Sequence, residues 1–355
     1  MLADENRESD SRDAAGVERH SCPRCQVQPR SPCRSPGTVE QALDGKSDRS
    51  REPSWTEVAR EQDTETRLLR HEHRTAVSPM QAYETERATR AAISSATSLG
   101  LTAHDAAVLH NSNTLTLRLQ PCDVLARVAP AAHQCARLEV DVAQRLAEAG
   151  SPVAALESPR VFVRGDYVVT LWTYYEPVTT QPIPHAEYVT ALERLHAGMR
   201  EIDLPIPHFT DRVSAAQTLV TDHARTPGLA DSDRLLLASV LDRMRRAVTE
   251  SGRPEQLLHG EPHPGNLIST RTGPLFIDFE TCCRGPIEFD LAHAPDDVGD
   301  RYPGADHQLL RDCRTLMLAM ITAWRWDRDD RFPDGRRLGI QWLSHLRTAT
   351  AHRDG

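Results

Sequence analysis

Lysine is almost missing from this 355-residue chain: of 42 basic residues only Lys46 is a lysine. Chemistry that needs a lysine Schiff base or a phosphate-loop lysine therefore has a single candidate, in a charged N-terminal stretch, and is set aside. Aromatic residues are few, and of the six Phe, five Trp and six Tyr only Trp55 and Tyr83 precede residue 160. Net positive charge is also lacking. A balance of -9 gives no electrostatic footprint for neutralising many phosphates, so nucleic acid is not expected as a partner. Long apolar runs are missing too: Leu316 to Trp324 falls well short of the roughly 18 residues of a membrane span, and Met1 to Asp10 has no apolar signal core. The chain is expected to be cytoplasmic and off the membrane. Eight cysteines in such a length do not make a disulfide framework and are read as reduced thiols.

What is present is unevenly distributed. Residues 1–75 hold 28 charged residues but only ten of Ile, Leu, Val, Met, Phe, Trp or Tyr, too few to offset chain entropy by burial. A disordered arm is expected over 1–77. Within it His20, Cys22, Cys25 and Cys33 have the ligand types of a zinc site, but no surrounding mini-fold is legible, and they are read as incidental.

Beyond the arm, a helix is expected over 80–98. Two extended stretches follow, Ala107 to Leu119 and Asp123 to Val128, then a helix over Pro130 to Gly150 and a hairpin across Arg164-Gly165-Asp166. Helical periodicity dominates after Glu176-Pro177: His185 to Arg200, Asp211 to Ala224, Ser232 to Glu250, Ala305 to Trp326 and Arg336 to Ala351. The interruption is Leu257 to Phe279, which reads Leu-Leu-His259-Gly260-Glu261-Pro262-His263-Pro264-Gly265-Asn266-Leu-Ile and, after a turn, Phe-Ile-Asp278-Phe-Glu280. A carboxylate on a loop stiffened by Gly and Pro can orient and deprotonate a hydroxyl. An amide five residues on and a second carboxylate beyond a hairpin offer oxygen ligands of the kind magnesium prefers.

This segment resembles the His-Gly-Asp-x-x-x-x-Asn loop and the following Ile-Asp-Phe/Trp-Glu of the aminoglycoside phosphotransferase family, relatives of the protein kinases. Gly285-Pro286-x-x-x-Asp290 and Ala191-Leu-Glu-Arg-Leu-His196 are similar to two supporting elements of that family. The resemblance implies an α+β, bilobal, protein-kinase-like fold: a small antiparallel sheet lobe over 78–176 and a mostly helical lobe over 177–355 that carries catalysis and acceptor binding. It also implies ATP or GTP as co-substrate, Mg2+ as cofactor, and a small-molecule hydroxyl, such as an antibiotic's, as phosphoryl acceptor.

By the same resemblance Glu261 is the catalytic carboxylate, Asn266 and Asp278 ligate magnesium, and His259 and Asp290 support the loop. Arg127 contacts the nucleotide phosphates with Glu139 behind it, Asn111 and Ser112 cover the phosphates, and Thr173, Tyr174, Tyr175 and Glu176 meet the base. Arginine suits that phosphate position because its fork binds phosphate bidentately and keeps its charge.

One departure stands out: Glu261 occupies the family's aspartate position and reaches about 1.5 Å further. Either the loop compensates and the protein is an active kinase, which is the reading preferred, or it is a nucleotide-binding module without transfer activity. The His-x-Glu letters also occur in zinc deaminases, but Cys282 and Cys283 are adjacent rather than in Pro-Cys-x-x-Cys, so that chemistry is excluded. Asp296, Asp297, Asp300, Asp306, Asp327, Asp329, Asp330 and Asp334 suggest an acidic acceptor surface; Trp324, Trp326 and Trp342 are expected in the core.

Overall fold

Apolar residues at every second position bury one face of a strand, and Leu115, Leu117 and Leu119, then Val124, Ala126 and Val128, are all removed from solvent in this way. The computed structural model describes residues 80–351 apart from 113, 133–134 and 179–181, so the expected arm and its Cys22, Cys25 and Cys33 lie outside the described residues. Five strands form one antiparallel sheet in the order β1-β2-β3-β5-β4: β1 (Ala103–Asn111), β2 (Leu115–Pro121), β3 (Val124–Pro130), β4 (Leu156–Arg164) and β5 (Tyr167–Thr173). The single extended stretch expected over Ala107 to Leu119 is two strands of a hairpin, because Asn111 and Ser112 bring turn chemistry into the middle of it.

Helix α1 (Ala82–Thr97) lays Ala88, Ala91, Ala92 and Ala96 on one side of this sheet, where small side chains permit close approach. Helix α2 (Ala136–Glu148) starts later than expected, since β3 runs on through Pro130, and it ends before Gly150, whose φ of +70° suits a left-handed stop.

The second half is helical: α3 (His185–Arg200), α4 (Phe209–Thr221) and α5 (Asp231–Thr249) precede the loop region, and α8 (His307–Trp324) and α9 (Gly335–Ala351) follow it. Helix α8 is buried nearly all round, which explains the apolar run at Leu316 to Trp324 as core rather than membrane. No described helix is long and apolar enough to cross a membrane.

Short elements frame the loop region. Strand β6 (Gln256–Leu258) pairs with β9 (Cys283–Gly285), and β7 (Leu267–Thr270) forms a hairpin with β8 (Gly273–Phe276); α6 (Ile287–Leu291) and α7 (Asp296–Gly299) come next. The sequence shows only the hairpin, because three-residue strands and one-turn helices carry no readable periodicity. Trp326 and Trp342 are core residues, while Trp324 is half-buried.

The eight aspartates have intramolecular partners. Asp296 and Asp300 pair with Arg314, Asp297 with His185, Asp327 with Arg225, Asp329 with Arg328, Asp330 with Arg325 and Asp334 with Arg337, and Asp306 caps α8. Six of them face arginines, so much of the acidic charge suggested by composition is compensated within the chain.

Candidate active site

Asp290, fully buried on α6, organises the loop that leaves β6. It accepts the His259 N–H at 2.9 Å and the Gly260 N–H at 2.7 Å, and lies 3.1 Å from His196 Nε2 on α3. The other ring nitrogen of His196 is 2.8 Å from the Tyr302 hydroxyl. Burial works to raise the Asp290 pKa, but the His196 bond, its charge and the backbone donor outweigh burial and hold it below the usual carboxylate range.

His259 is buried as well, and its Nε2 donates to the Ile277 carbonyl at 3.0 Å, which ties the loop to the residue before Asp278. Burial lowers the His259 pKa, so the ring is neutral with its proton on Nε2.

Gly260 has a φ of +88°, and a Cβ there would stand 2.0 Å from the Thr281 carbonyl oxygen. Gly260→Ala is accordingly expected to destabilise the fold by at least about 1–3 kcal/mol from backbone strain alone, read as a lowered denaturation midpoint.

Glu261 points its buried carboxylate at Arg212 of α4, whose Nη2 donates to Oε1. The Glu261 carbonyl accepts from Asn266 Nδ2 at 2.9 Å, and the Ile277 N–H donates to the Asn266 carbonyl at 3.0 Å. Tyr188 donates to the Pro262 carbonyl, and His263 accepts from the Gly265 N–H at 3.0 Å, so His263 serves the turn. Glu261, Asn266 and Asp278 are thus linked through one short hydrogen-bonded frame. Asp278 adopts a left-handed φ of +68° and keeps a side chain 37% exposed, the most open of the three carboxylates around Arg127.

Arg127, on β3, donates to Glu139 of α2, to Glu280 at 2.7 Å and to Asp278 at 3.4 Å. Burial alone would lower its pKa, but the three carboxylates reverse that and hold it above the ordinary arginine value. Oxygens of Glu139, Asp278 and Glu280 lie within 4.8 Å of one another. Since Arg127 engages Glu139 and Glu280, what Asp278 and the Asn266 amide offer is a pair of oxygen donors. It suits a hard cation such as magnesium rather than a thiolate-seeking metal.

The residues expected at the nucleotide are spread along the sheet. Asn111 clasps Met80 through both its N–H (2.9 Å) and its carbonyl (3.0 Å), so its side chain anchors the lead into α1, and Ser112 beside it is buried. Thr173 ends β5, with its N–H on the Ala155 carbonyl at 2.9 Å. The Tyr174 hydroxyl donates to Glu176 at 3.2 Å, Arg118 stacks 4.1 Å above the Tyr174 ring, and the Tyr175 hydroxyl accepts from the Ala155 N–H at 3.2 Å.

Two histidines give the protein an acid-sensitive range. Burial pushes His293 down to about 3 and, with Arg127 adding to it, His110 down to about 4, against an ordinary 6.5. From pH 6.5 downward the unfolded chain binds protons that the folded one does not, so stability falls with pH until those values are passed. Replacing His293 by Gln should flatten the slope of unfolding free energy between pH 6.5 and 4; an unchanged slope would refute this source of acid sensitivity.

Arg212, Glu280 and the His196–Tyr302 contact complete the site, and sequence reasoning gave no role to Arg212, Glu280 or Tyr302. Glu280 had a local signal, two residues after Asp278; Arg212 had none.

The sequence matches the phosphotransferase enzyme family, APH, over residues 108–312. No curated protein matches the chain. Among solved structures it is similar to amicoumacin kinase hAmiN in complex with AMP-PNP, Ca2+ and Ami (12% identity, TM-score 0.58, 76% of this chain and 97% of that one). A putative fructosamine-3-kinase from Haemophilus somnus (13%, 0.55, 74% and 98%) and a GDP complex of aminoglycoside 2'-phosphotransferase-IIIa (13%, 0.54, 74% and 98%) are also similar. At such identities the structures share the fold, which is protein-kinase-like. Since the family match spans more than half of the chain and includes the loop, the Asp278 segment and Asp290, this chain belongs to the phosphotransferase enzyme family.

Proposed function

We propose that this protein moves the γ-phosphoryl group of ATP or GTP to a hydroxyl of a small molecule, in the cytoplasm. The observation that carries the reading is the frame joining Glu261, Asn266 and Asp278, with Arg127 beside Asp278. In the reaction the acceptor oxygen bonds to the γ-phosphorus, its proton passes to Glu261, and the bond to the departing nucleoside diphosphate breaks with that oxygen keeping the electron pair. Asn266 and Asp278 would hold magnesium, which supplies charge neutralisation for the nucleotide phosphates. Arg127, released in part from Asp278 as phosphate arrives, offers its fork to the phosphate oxygens while Glu139 and Glu280 keep it in place. The sheet lobe over 78–176 then receives the nucleotide, with Thr173 to Glu176 at the crossing toward the helical lobe.

Structures of similar fold hold ligands of these kinds: AMP-PNP with hAmiN and GDP with the aminoglycoside enzyme. The test is nucleotide turnover with ATP and with GTP against a panel of aminoglycosides, macrolides and hydroxylated metabolites. Acceptor-dependent release of nucleoside diphosphate with a phosphorylated product is expected; magnesium-dependent nucleotide binding with no transfer across the panel would make the chain a binding module instead.

A further inference from the structure

The loop holds a cation that the reaction as drawn does not use. Arg212 grips two adjacent residues at once: Nη2 donates to Glu261 Oε1, and Nη1 donates to the Gly260 carbonyl at 3.0 Å. Its guanidinium carbon lies 5.7 Å from the centre of the Trp324 ring, and only 19% of its side chain and 8% of that of Glu261 meet solvent.

The mount of Arg212 is stiff. It sits on the first turn of α4, just after a reciprocal cap in which the His208 N–H donates to Asp211 at 3.1 Å and the Thr210 N–H donates to His208. The Arg284 N–H holds the Pro207 carbonyl at 2.8 Å, His208 Nε2 is 3.1 Å from Glu255, and the fully buried Phe209 ring lies 5.2 Å from that of Phe289.

We infer that Arg212 is a positioning residue that fixes the Glu261 carboxylate for proton transfer; the inference rests on the general-base reading of Glu261. A glutamate side chain has three soft torsions, and untethered it carries its carboxylate over several ångströms. A base must come within about 2.6–3.2 Å of the oxygen it deprotonates. A planar fork clamped to both the backbone and the carboxylate removes that freedom, and in a nearly dry setting its charge-assisted bond is little screened.

Arg212→Ala should lower kcat on the order of tenfold to a hundredfold and leave nucleotide affinity unchanged. Arg212→Lys keeps the charge without the fork, so kcat should be partly rescued, to an intermediate value, with nucleotide affinity again unchanged. Glu261→Asp shortens the side chain by about 1.5 Å and should lose both the contact and rate; adding Arg212→Ala to it should cost little more.

If Glu261→Gln is inactive while Arg212→Ala and Arg212→Lys keep the original kcat, positioning by Arg212 is overturned. If Glu261→Gln retains turnover, the general-base reading fails and takes this inference with it. Should Arg212→Ala not fold, as judged by nucleotide affinity, the lysine and aspartate variants decide: full kcat in both refutes the role.

Discussion

Glu261→Gln is expected to lower phosphoryl transfer by about 10²- to 10⁴-fold while nucleotide binding survives. Glutamine has the shape of glutamate, and its amide oxygen still accepts from Arg212, so the loop keeps its geometry. What is lost is the group that takes the hydroxyl proton. The effect should therefore fall on kcat, with the nucleotide Kd by calorimetry unchanged. Equal turnover in the variant and the original protein would remove Glu261 from the reaction and leave the loop with a binding role only.

Arg127→Ala should have the second large effect, on stability and on nucleotide together. Its removal leaves Glu139 and Glu280, at 2% and 8% exposure, close together without their shared cation. Breaking a buried ion pair from one side costs about 3–5 kcal/mol, so the thermal midpoint should drop by many degrees. Loss of a charged hydrogen-bonding partner for phosphate, worth about 1.5–3 kcal/mol, corresponds to roughly a 10- to 150-fold weaker nucleotide Kd. Arg127→Lys should recover more of the stability than of the affinity, because a point charge satisfies carboxylates but does not reproduce the bidentate fork. The acceptor KM at saturating nucleotide should stay put. A variant with original stability and nucleotide affinity would show that Arg127 serves neither task.

Much of the site was legible because it is local. His259, Glu261, Asn266 and Asp278 fall within twenty residues, and stiff Gly and Pro positions between them restrict where their side chains go. Long amphipathic helices such as His185–Arg200 were legible for the same reason: their signal repeats within a few turns. The hairpin within 107–119 was missed because apolar residues continue on both sides of a short polar turn. Asn111 illustrates a different limit. It ends β1 beside a polar turn that the sequence shows, but its side chain is committed to Met80, a partner 31 residues away.

The near absence of lysine determined, from sequence alone, that the strongly basic side chains other than Lys46 are all arginines, so an arginine was the expected partner for phosphate. The family resemblance assigned Arg127, with Glu139 behind it, to the phosphates, but nothing in the sequence gave Arg212 a role, because all but one of the 42 basic residues are arginines and look alike along the chain. Tertiary structure alone decided that Asp278 and Glu280 join Glu139 around Arg127, and that Arg212 meets Glu261 across 49 residues of sequence. The reason is physical: a side chain's chemistry is fixed by its own atoms, but the strength of a charge pair depends on spatial separation and on exclusion of water. Both are set only when the sheet, the loop and α4 are brought together.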